Sequence, residues 1–246
     1  MPADTNHTIA DQPVNRDISI WRYMDLPKFL ALLSTRMLYF PRADLLGDKF
    51  EGSVSNINAK LYLERYHANP GNVASPDREI YRGLREYVYV SCWHMNESES
   101  AAMWSLYGGQ KGAIAIRTTY SSLAEALPED AILGKVTYAD YQNHFIPEDF
   151  IETIYMHKRA SFSHEREVRA LLFNIPKGNS ENSDLRTPIR SPGISIPVDL
   201  DTFIRTVYLS PEAPTWYEEL LRDLLRRYGT SLDLLRSDLD DDPIFY

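Results

Sequence analysis

The amino-acid sequence predicts a single α+β domain with a mixed, mainly antiparallel central sheet flanked by helices. Short runs of β-branched and aromatic residues alternate irregularly with amphipathic stretches of helical period. The 246 residues are enough to bury a sizeable core, and no linker-like segment or internal repeat divides the sequence. We therefore expect one domain over residues 18–236.

The individual elements follow from these patterns in chain order. A β-type run at Ile18–Tyr23 predicts the first strand, and Asp25 is expected to cap a helix with Pro27 in its first turn. The later predicted elements are a strand at Met37–Phe40, helices at Asn56–His67 and Arg78–Glu86, a strand at Tyr87–Trp93, a helix holding Met103–Tyr107, strands at Gly112–Ile116 and Val136–Tyr138, a helix at Phe150–Lys158, a strand at Glu167–Phe173, and a final strand, helix and strand at Thr206–Leu209, Trp216–Tyr228 and Leu232–Leu235.

Three segments are expected to lack regular structure. Residues 1–17 form a flexible N-terminal arm, residues 237–246 an acidic C-terminal tail, and Lys177–Gly193 a mobile polar loop. The arm and the loop carry few apolar side chains, so burial offsets little of the entropy lost on ordering. Strong protection of both segments in hydrogen exchange would contradict this prediction.

Charge and cysteine content exclude several classes of protein. The sequence has 35 acidic against 26 basic Lys and Arg residues, a formal charge of −9, which argues against a general nucleic-acid coat. The single cysteine, Cys92, excludes an internal disulfide and a multi-cysteine zinc site. No apolar run reaches membrane-spanning length and the N-terminal residues lack a signal-peptide core, so a cytoplasmic protein without a membrane partner is expected.

Aromatic residues cluster in the middle of the chain. Trp104 and Tyr107 are three residues apart on a predicted helix, so they share a face, and Trp93 ends the strand before it. Together they predict a wall of a groove that stacks on a flat ligand ring. Packing in the core is the alternative, because buried aromatic side chains are commonly structural.

Two further groups of residues suit catalysis and anion binding. On an extended backbone Glu165 and Glu167 point to the same face, and paired carboxylates suit one charge-stabilising and one proton-handling role. Arg22, at the end of the first strand, can grip a phosphate through its guanidinium. The alternatives are a solvated strand end and a surface ion pair. The scattered histidines predict no metal site.

Several blocks of the sequence resemble the bacterial domain-of-unknown-function 2971 family. Its members are associated with mobile elements and phage defence, and the family implies no settled activity. The loop Gly47-Asp48-Lys49-Phe50 departs from the Asn-Asp-Pro-Phe pattern of the family. The matching blocks, spread over residues 20–229, are Trp21-Arg22-Tyr23, Leu38-Tyr39-Phe40, Asp48–Gly52, Ser91-Cys92-Trp93, Met103-Trp104-x-x-Tyr107-Gly108, Gly112, Val136-x-Tyr138, Lys158, and Phe162-x-x-Glu165-x-Glu167-Val168-Arg169.

The order of Arg22, Ser91 and Glu165-x-Glu167 is also similar to that of Arg–Ser–Glu type ADP-ribosyltransferases. This resemblance implies NAD as substrate and a protein or nucleic-acid acceptor, as in a toxin, abortive-infection or phage-defence effector. It implies Glu167 as the charge-stabilising group, Glu165 as the residue that orients or deprotonates the acceptor, and Ser91 as a brace for the catalytic glutamate. The implied NAD-binding residues are Arg22, Ser91, Trp93, Trp104, Tyr107 and Lys158.

Two other functions remain open from the sequence. The first is a non-catalytic ligand sensor or toxin-partner module, which needs the aromatic pocket but not Glu167. The second is a metal-dependent nuclease that uses Asp48, Glu51, the Glu165 and Glu167 pair, and Lys158, although its usual Asp…Glu-x-Lys spacing is absent. A requirement for a divalent metal would separate the nuclease from both other functions.

Overall fold

The computed structural model describes residues 3, 8–69, 82–107, 112–174, 191–239 and 241–245. Its irregular alternation of strands and helices confirms the predicted α+β class. The strands β1 to β11 span Ser19–Met24, Met37–Pro41, Val88–Met95, Ile114–Thr119, Ile132–Lys135, Thr137–Ala139, His157–Arg159, Glu167–Phe173, Gly193–Pro197, Thr206–Leu209 and Leu234–Arg236. The α-helices α1 to α6 span Leu26–Thr35, Asn56–Ala68, Ala101–Tyr107, Tyr120–Ala126, Leu200–Phe203 and Thr215–Arg227.

A seven-stranded sheet in the order β11-β10-β4-β1-β3-β8-β5 forms the centre of the molecule. All of its neighbouring strands are antiparallel except β10 and β11, as the mainly antiparallel prediction requires. Two small pairs accompany it, β2 with β9 and β6 with β7. Apolar side chains cover both faces, with α1, α4, α5 and α6 contributing to the larger cluster on one face.

Strands β1 and β3 lie side by side over only part of their length. Strand β1 pairs with β4 from Ser19 to Met24, whereas it pairs with β3 only at Ile20 and Trp21. Strand β3 instead keeps a long ladder with β8, from Val88 to His94. Beyond Trp21 the two strands separate, and this gap in the sheet is where the cavity described below lies.

Local sequence signals explain the first helix, but one other helix prediction is wrong. Asp25 caps α1 by accepting a hydrogen bond from the backbone of Lys28 at 2.9 Å, as predicted. The predicted helix at Phe150–Lys158 is instead a 3-10 helix at Ile151–Met156 followed by β7. The strand forms because Lys158 pairs with Tyr138 of β6, a long-range contact that helical periodicity cannot reveal.

The terminal segments and one loop are only partly described. In the N-terminal arm, Gln12 donates a hydrogen bond to the carbonyl of Leu133, and the backbone of Lys135 donates to that of Asp11. Most of the predicted loop Lys177–Gly193, the start of the helix predicted at Arg78–Glu86 and part of the acidic tail lie outside the described residues, and the last residue of that loop, Gly193, begins strand β9. The mobility of the arm and the loop stays a prediction. Within the described ranges, no helix is long and apolar enough to span a bilayer.

Candidate active site

A cavity of about 910 Å³ opens where β1 and β3 separate. This volume lies at the upper end of the range for small-molecule sites, roughly 300–1,000 Å³. Helix α1, strand β2 and the loop of residues 46–51 complete its walls. Six of the eight site residues predicted from the sequence line it, namely Arg22, Trp93, Tyr107, Lys158, Glu165 and Glu167.

One wall of the cavity carries a buried cluster of ionised groups around the Lys158 ammonium. Its Nζ lies 2.5 Å from Glu165 Oε2, 3.2 Å from Glu167 Oε2 and 3.5 Å from Glu51 Oε1. Arg169 completes this ion cluster, with its Nε 2.7 Å from Glu167 Oε1 and its Nη1 2.8 Å from Glu51 Oε2. The cluster thus contains three carboxylates and two cations, a formal net charge of one negative unit.

The ion cluster shifts the pKa values of its members. Burial alone would raise the pKa of Glu167, but Arg169 and Lys158 hold it at about 2, below its ordinary value of 4.5. Burial alone would lower the pKa of Lys158, but Glu167 and the other two carboxylates raise it well above its ordinary value. Both groups are therefore ionised at neutral pH.

A bend at Arg166 brings the two carboxylates together, which differs from the predicted extended backbone. Glu165 ends a 3-10 helix, Arg166 has φ of 42°, and Glu167 begins β8. Such a left-handed conformation is strained for a residue with a side chain. It is held by hydrogen bonds from the Met95 backbone N–H to the Arg166 carbonyl and from Arg166 Nη1 to Asn96 Oδ1. Both carboxylates consequently face Lys158.

Arg22 lies in another part of the cavity wall. Its Nη1 donates to Ser91 Oγ and its Nη2 to the Tyr39 carbonyl, each at 3.1 Å, and its Cζ is 5.6 Å from the ring centroid of Trp93. Among the described residues, no carboxylate lies within 4.0 Å of this guanidinium, so its positive charge is not neutralised by an ion pair.

Ser91 does not brace Glu167 as the sequence predicted. Side chains alternate along β3, so Ser91 and Trp93 share one face while His94, which pairs with Glu167, points to the other. The Ser91 hydroxyl accepts hydrogen bonds from Arg22 and from Nε1 of Trp93 at 3.0 Å. Ser91 therefore orients the arginine and the tryptophan.

The acidic loop between β2 and α2 is anchored in the cavity wall. Asp48 accepts hydrogen bonds from Arg159 at 2.6 and 3.2 Å, and Glu51 is bound by Arg169. At Gly52, with φ of 64°, an added Cβ would lie 2.3 Å from the Tyr155 ring. Only glycine fits there without strain, and the loop packs closely as a result.

Of the two aromatic residues on helix α3 that are predicted to line one groove, only Tyr107 reaches the cavity. Tyr107 lines the cavity and its hydroxyl donates to Glu165 Oε1 at 2.8 Å, while burial and the charge of Glu165 raise the pKa of the phenol. Trp104 is only 6% exposed and does not line the cavity. It packs edge-on against Tyr23 at 4.9 Å and donates to Glu99, because its face of the short helix rests on β1.

Truncation of Trp104 is expected to lower stability rather than affect ligand binding directly. We predict that Trp104→Ala lowers the free energy of unfolding by about 3–5 kcal/mol, the usual cost of emptying a buried tryptophan site. Leu106→Ala is the matched control on the same helix, since Leu106 is 57% exposed, and should change stability by less than about 0.5 kcal/mol. Urea unfolding measures both, and equal stability of the two variants would contradict the buried role.

Two members of the ion cluster are absent from the transferase site predicted from the sequence, Arg169 and Glu51, and Glu51 was considered only as a residue of the alternative nuclease. Arg169 follows Glu167 in a strand whose other residues are apolar. A buried arginine requires carboxylate partners, so its position in this strand was a signal of a buried ion pair in the sequence. Glu51 lies in an irregular loop, where no periodicity predicts burial. Within the described residues, no group of three or more His, Cys, Asp or Glu side chains is arranged to hold a metal ion.

Comparisons with known proteins find similarity only at the level of solved structures. No protein-family model matches the chain and no curated protein matches it in sequence, so the resemblance to the domain-of-unknown-function 2971 family stays an interpretation of the motifs. The similar structures include Thermus sp. 2.9 DarT in complex with NAD+, with 9% identity, a TM-score of 0.43 and coverage of 92% of this chain and 97% of that one.

Two further structures of the same protein give similar values. Thermus sp. 2.9 DarT in complex with ADP-ribosylated ssDNA has 8% identity, a TM-score of 0.42 and coverage of 92% of this chain and 96% of that one. The complex with carba-NAD+ has 10% identity, a TM-score of 0.40 and coverage of 90% and 96%. A likeness at this level establishes neither a shared fold nor a shared activity.

Proposed function

We propose that this chain is an ADP-ribosyltransferase-like enzyme that cleaves NAD and transfers ADP-ribose to a protein or nucleic-acid acceptor. The observation that carries the proposal is the opposite charge of two parts of one cavity wall. Arg22 supplies a guanidinium that forms no ion pair with any described residue, and the ion cluster supplies one net negative charge. NAD has a matching distribution, with an anionic pyrophosphate and a cationic nicotinamide ring.

The proposed binding mode assigns each part of NAD to a part of the wall. Arg22 keeps N–H donors beyond those given to Ser91 and Tyr39, and these bind the pyrophosphate. Glu167 binds a hydroxyl of the nicotinamide ribose, since its carboxylate is ionised and still has acceptor capacity. Tyr107, whose hydroxyl donates to Glu165, packs against the nicotinamide ring, Trp93 supports the Arg22 guanidinium, and Lys158 fixes both carboxylates in position.

The reaction breaks the bond between C1′ of the ribose and the ring nitrogen of nicotinamide. Nicotinamide leaves with the electron pair and becomes neutral, while positive charge develops on the sugar as in glycoside hydrolysis. The net negative charge of the ion cluster stabilises this oxocarbenium-like state. A nucleophilic oxygen or nitrogen of the acceptor then attacks C1′, and Glu165 takes its proton. Water in place of the acceptor gives hydrolysis.

Nicotinamide release by the purified protein tests the proposal. We expect release from NAD that increases when cell lysate is added as acceptor source and that persists in a chelator, because the proposed reaction needs no metal. Protease-treated and nuclease-treated lysates separate protein from nucleic-acid acceptors. An absence of release under all of these conditions would contradict the transferase and favour a non-catalytic binding module. Release that requires a divalent metal would contradict the proposed mechanism.

Arg22→Met is expected to weaken NAD binding through the loss of the pyrophosphate contact. Hydrogen bonds to charged groups contribute about 1.5–3 kcal/mol each, so the dissociation constant should rise by at least about tenfold. Calorimetric titration measures this change. The matched control is Arg222→Met, because Arg222 lies on α6 in an exposed ion pair with Glu218. The affinity of this variant for NAD should equal that of the wild type. Equal affinity of Arg22→Met and wild type would exclude Arg22 from the binding site.

A further inference from the structure

His94 is a buried residue of the cavity wall that the proposed mechanism does not use. It is 4% exposed, lies on β3 opposite Glu167, and packs edge-on against Tyr23 with ring centroids 6.3 Å apart. Its Nδ1 is 2.6 Å from the backbone carbonyl of Glu165. Its Nε2 is also buried and has no hydrogen-bond partner among the described residues.

The hydrogen bond to Glu165 fixes which nitrogen of His94 carries the proton. A carbonyl oxygen only accepts, so Nδ1 must be the donor and holds the hydrogen. Burial lowers the pKa of His94 below its ordinary value of 6.5, which favours the neutral ring. Nε2 then presents a lone pair and needs a donor. A buried polar atom left without a partner is destabilising, and a ligand that donates a hydrogen bond to it removes that cost.

We propose that His94 is a ligand-binding residue whose Nε2 accepts a hydrogen bond from an N–H or O–H group at the nicotinamide-ribose end of the substrate. The proposal rests on the proposed function, because it places this end of NAD beside Glu165 and Glu167. His94 lies next to both residues, through the backbone of Glu165 and the strand register with Glu167. Because Nδ1 of the same ring contacts the Glu165 carbonyl, next to the bend at Arg166, a ligand bound at Nε2 is coupled to the bend that orients the carboxylates.

Two substitutions separate binding from a structural role. Asparagine places a donor near the position of Nδ1 and no group near Nε2, so His94→Asn keeps the contact with the Glu165 carbonyl and loses the proposed acceptor. Glutamine places a polar atom near Nε2. His157→Asn is the matched control, since His157 is also buried and its Nδ1 is 2.8 Å from the Thr153 carbonyl, but it does not line the cavity.

The experiment is a calorimetric titration with carba-NAD+, in which a methylene replaces the ring oxygen of the nicotinamide ribose and prevents cleavage. His94→Asn should weaken binding about 2- to 10-fold, the value of one hydrogen bond, with His94→Gln closer to wild type and His157→Asn unchanged. If the wild type binds carba-NAD+ and His94→Asn binds it with equal affinity, the inference about His94 is wrong and the proposed function is unaffected. No binding by the wild type would overturn the proposed function together with the inference.

Two ligand analogues identify the donor. The nicotinic acid analogue has a carboxylate in place of the amide and lacks the N–H group, and the 2′,3′-dideoxy analogue lacks both hydroxyls of the nicotinamide ribose. One analogue lacks the group that donates to His94. It should bind the wild type as weakly as the parent ligand binds His94→Asn, and it should bind His94→Asn no more weakly than that. Additive losses for both analogues would overturn the inference, because His94 would then contact neither group.

Discussion

Arg169→Met is expected to lower the free energy of unfolding by about 3–5 kcal/mol at neutral pH, the usual loss when one partner of a buried ion pair is removed. The Arg169 side chain is fully buried and donates to Glu51, Glu167 and the carbonyl of Tyr155. Without it, Lys158 is the one remaining cation among the described residues that pairs with the buried carboxylates of the cluster. Chemical denaturation followed by circular dichroism measures the change.

Two further variants test whether this loss comes from the buried charges. Arg222→Met removes an exposed ion pair with Glu218 and should cost no more than about 1 kcal/mol. In the double variant Glu51→Gln and Arg169→Met, one of the unpaired carboxylates is neutral, so the total loss should be smaller than the sum of the single losses. Additive losses would show that Arg169 stabilises the fold by packing rather than by charge.

The ion pair between Glu167 and Arg169 makes the stability of the fold depend on pH in a defined window. The carboxyl pKa of Glu167 is about 2 in the folded protein and has an ordinary value of 4.5 when unfolded. Its contribution is therefore complete above about pH 4.5 and is lost as the pH falls through about 2. The stability difference between wild type and Arg169→Met should narrow over this acid range. A constant difference down to pH 2 would contradict the assigned pairing.

The features that the sequence could predict are those encoded within a few residues. The cap at Asp25 and the apolar strand at Glu167–Phe173 depend on local chemistry and period, and both are present in the structure. The strand at His157–Arg159 depends on pairing with β6, and the buried state of Glu51 depends on Arg169, which is 118 residues away. Contacts of this range leave no periodic pattern, so single-sequence reasoning cannot recover them.

The candidate site shows the same division between local and long-range information. The closeness of Glu165 and Glu167 was predicted, but for a different reason, because the positive φ at Arg166 rather than strand alternation turns both toward Lys158. Trp104 and Tyr107 share a helix, yet only Tyr107 reaches the cavity. Which of two neighbouring aromatic side chains meets a ligand depends on how the helix rests on β1.

Glu167→Gln is expected to lower the rate of nicotinamide release from NAD by about 10²–10³-fold, the typical loss for one preorganised electrostatic group. Glutamine keeps an oxygen for the Arg169 guanidinium but removes the charge that would stabilise the oxocarbenium-like sugar. Because Arg169 and Lys158 are then less fully neutralised, circular dichroism must show a folded variant at the assay temperature. Glu218→Gln, in an exposed ion pair, is the matched control and should retain wild-type turnover.

Glu165→Gln should separate the two carboxylates by function. Its proposed role concerns the acceptor, so hydrolysis of NAD by water should persist while transfer to a lysate acceptor falls. The pH profile adds an independent check. With a pKa of about 2, Glu167 is ionised throughout the range from pH 5 to 8, and its role predicts no acid limb in nicotinamide release there. An acid limb in wild type together with full turnover by Glu167→Gln would assign charge stabilisation to another residue, and the transferase mechanism proposed for this ion cluster would be wrong.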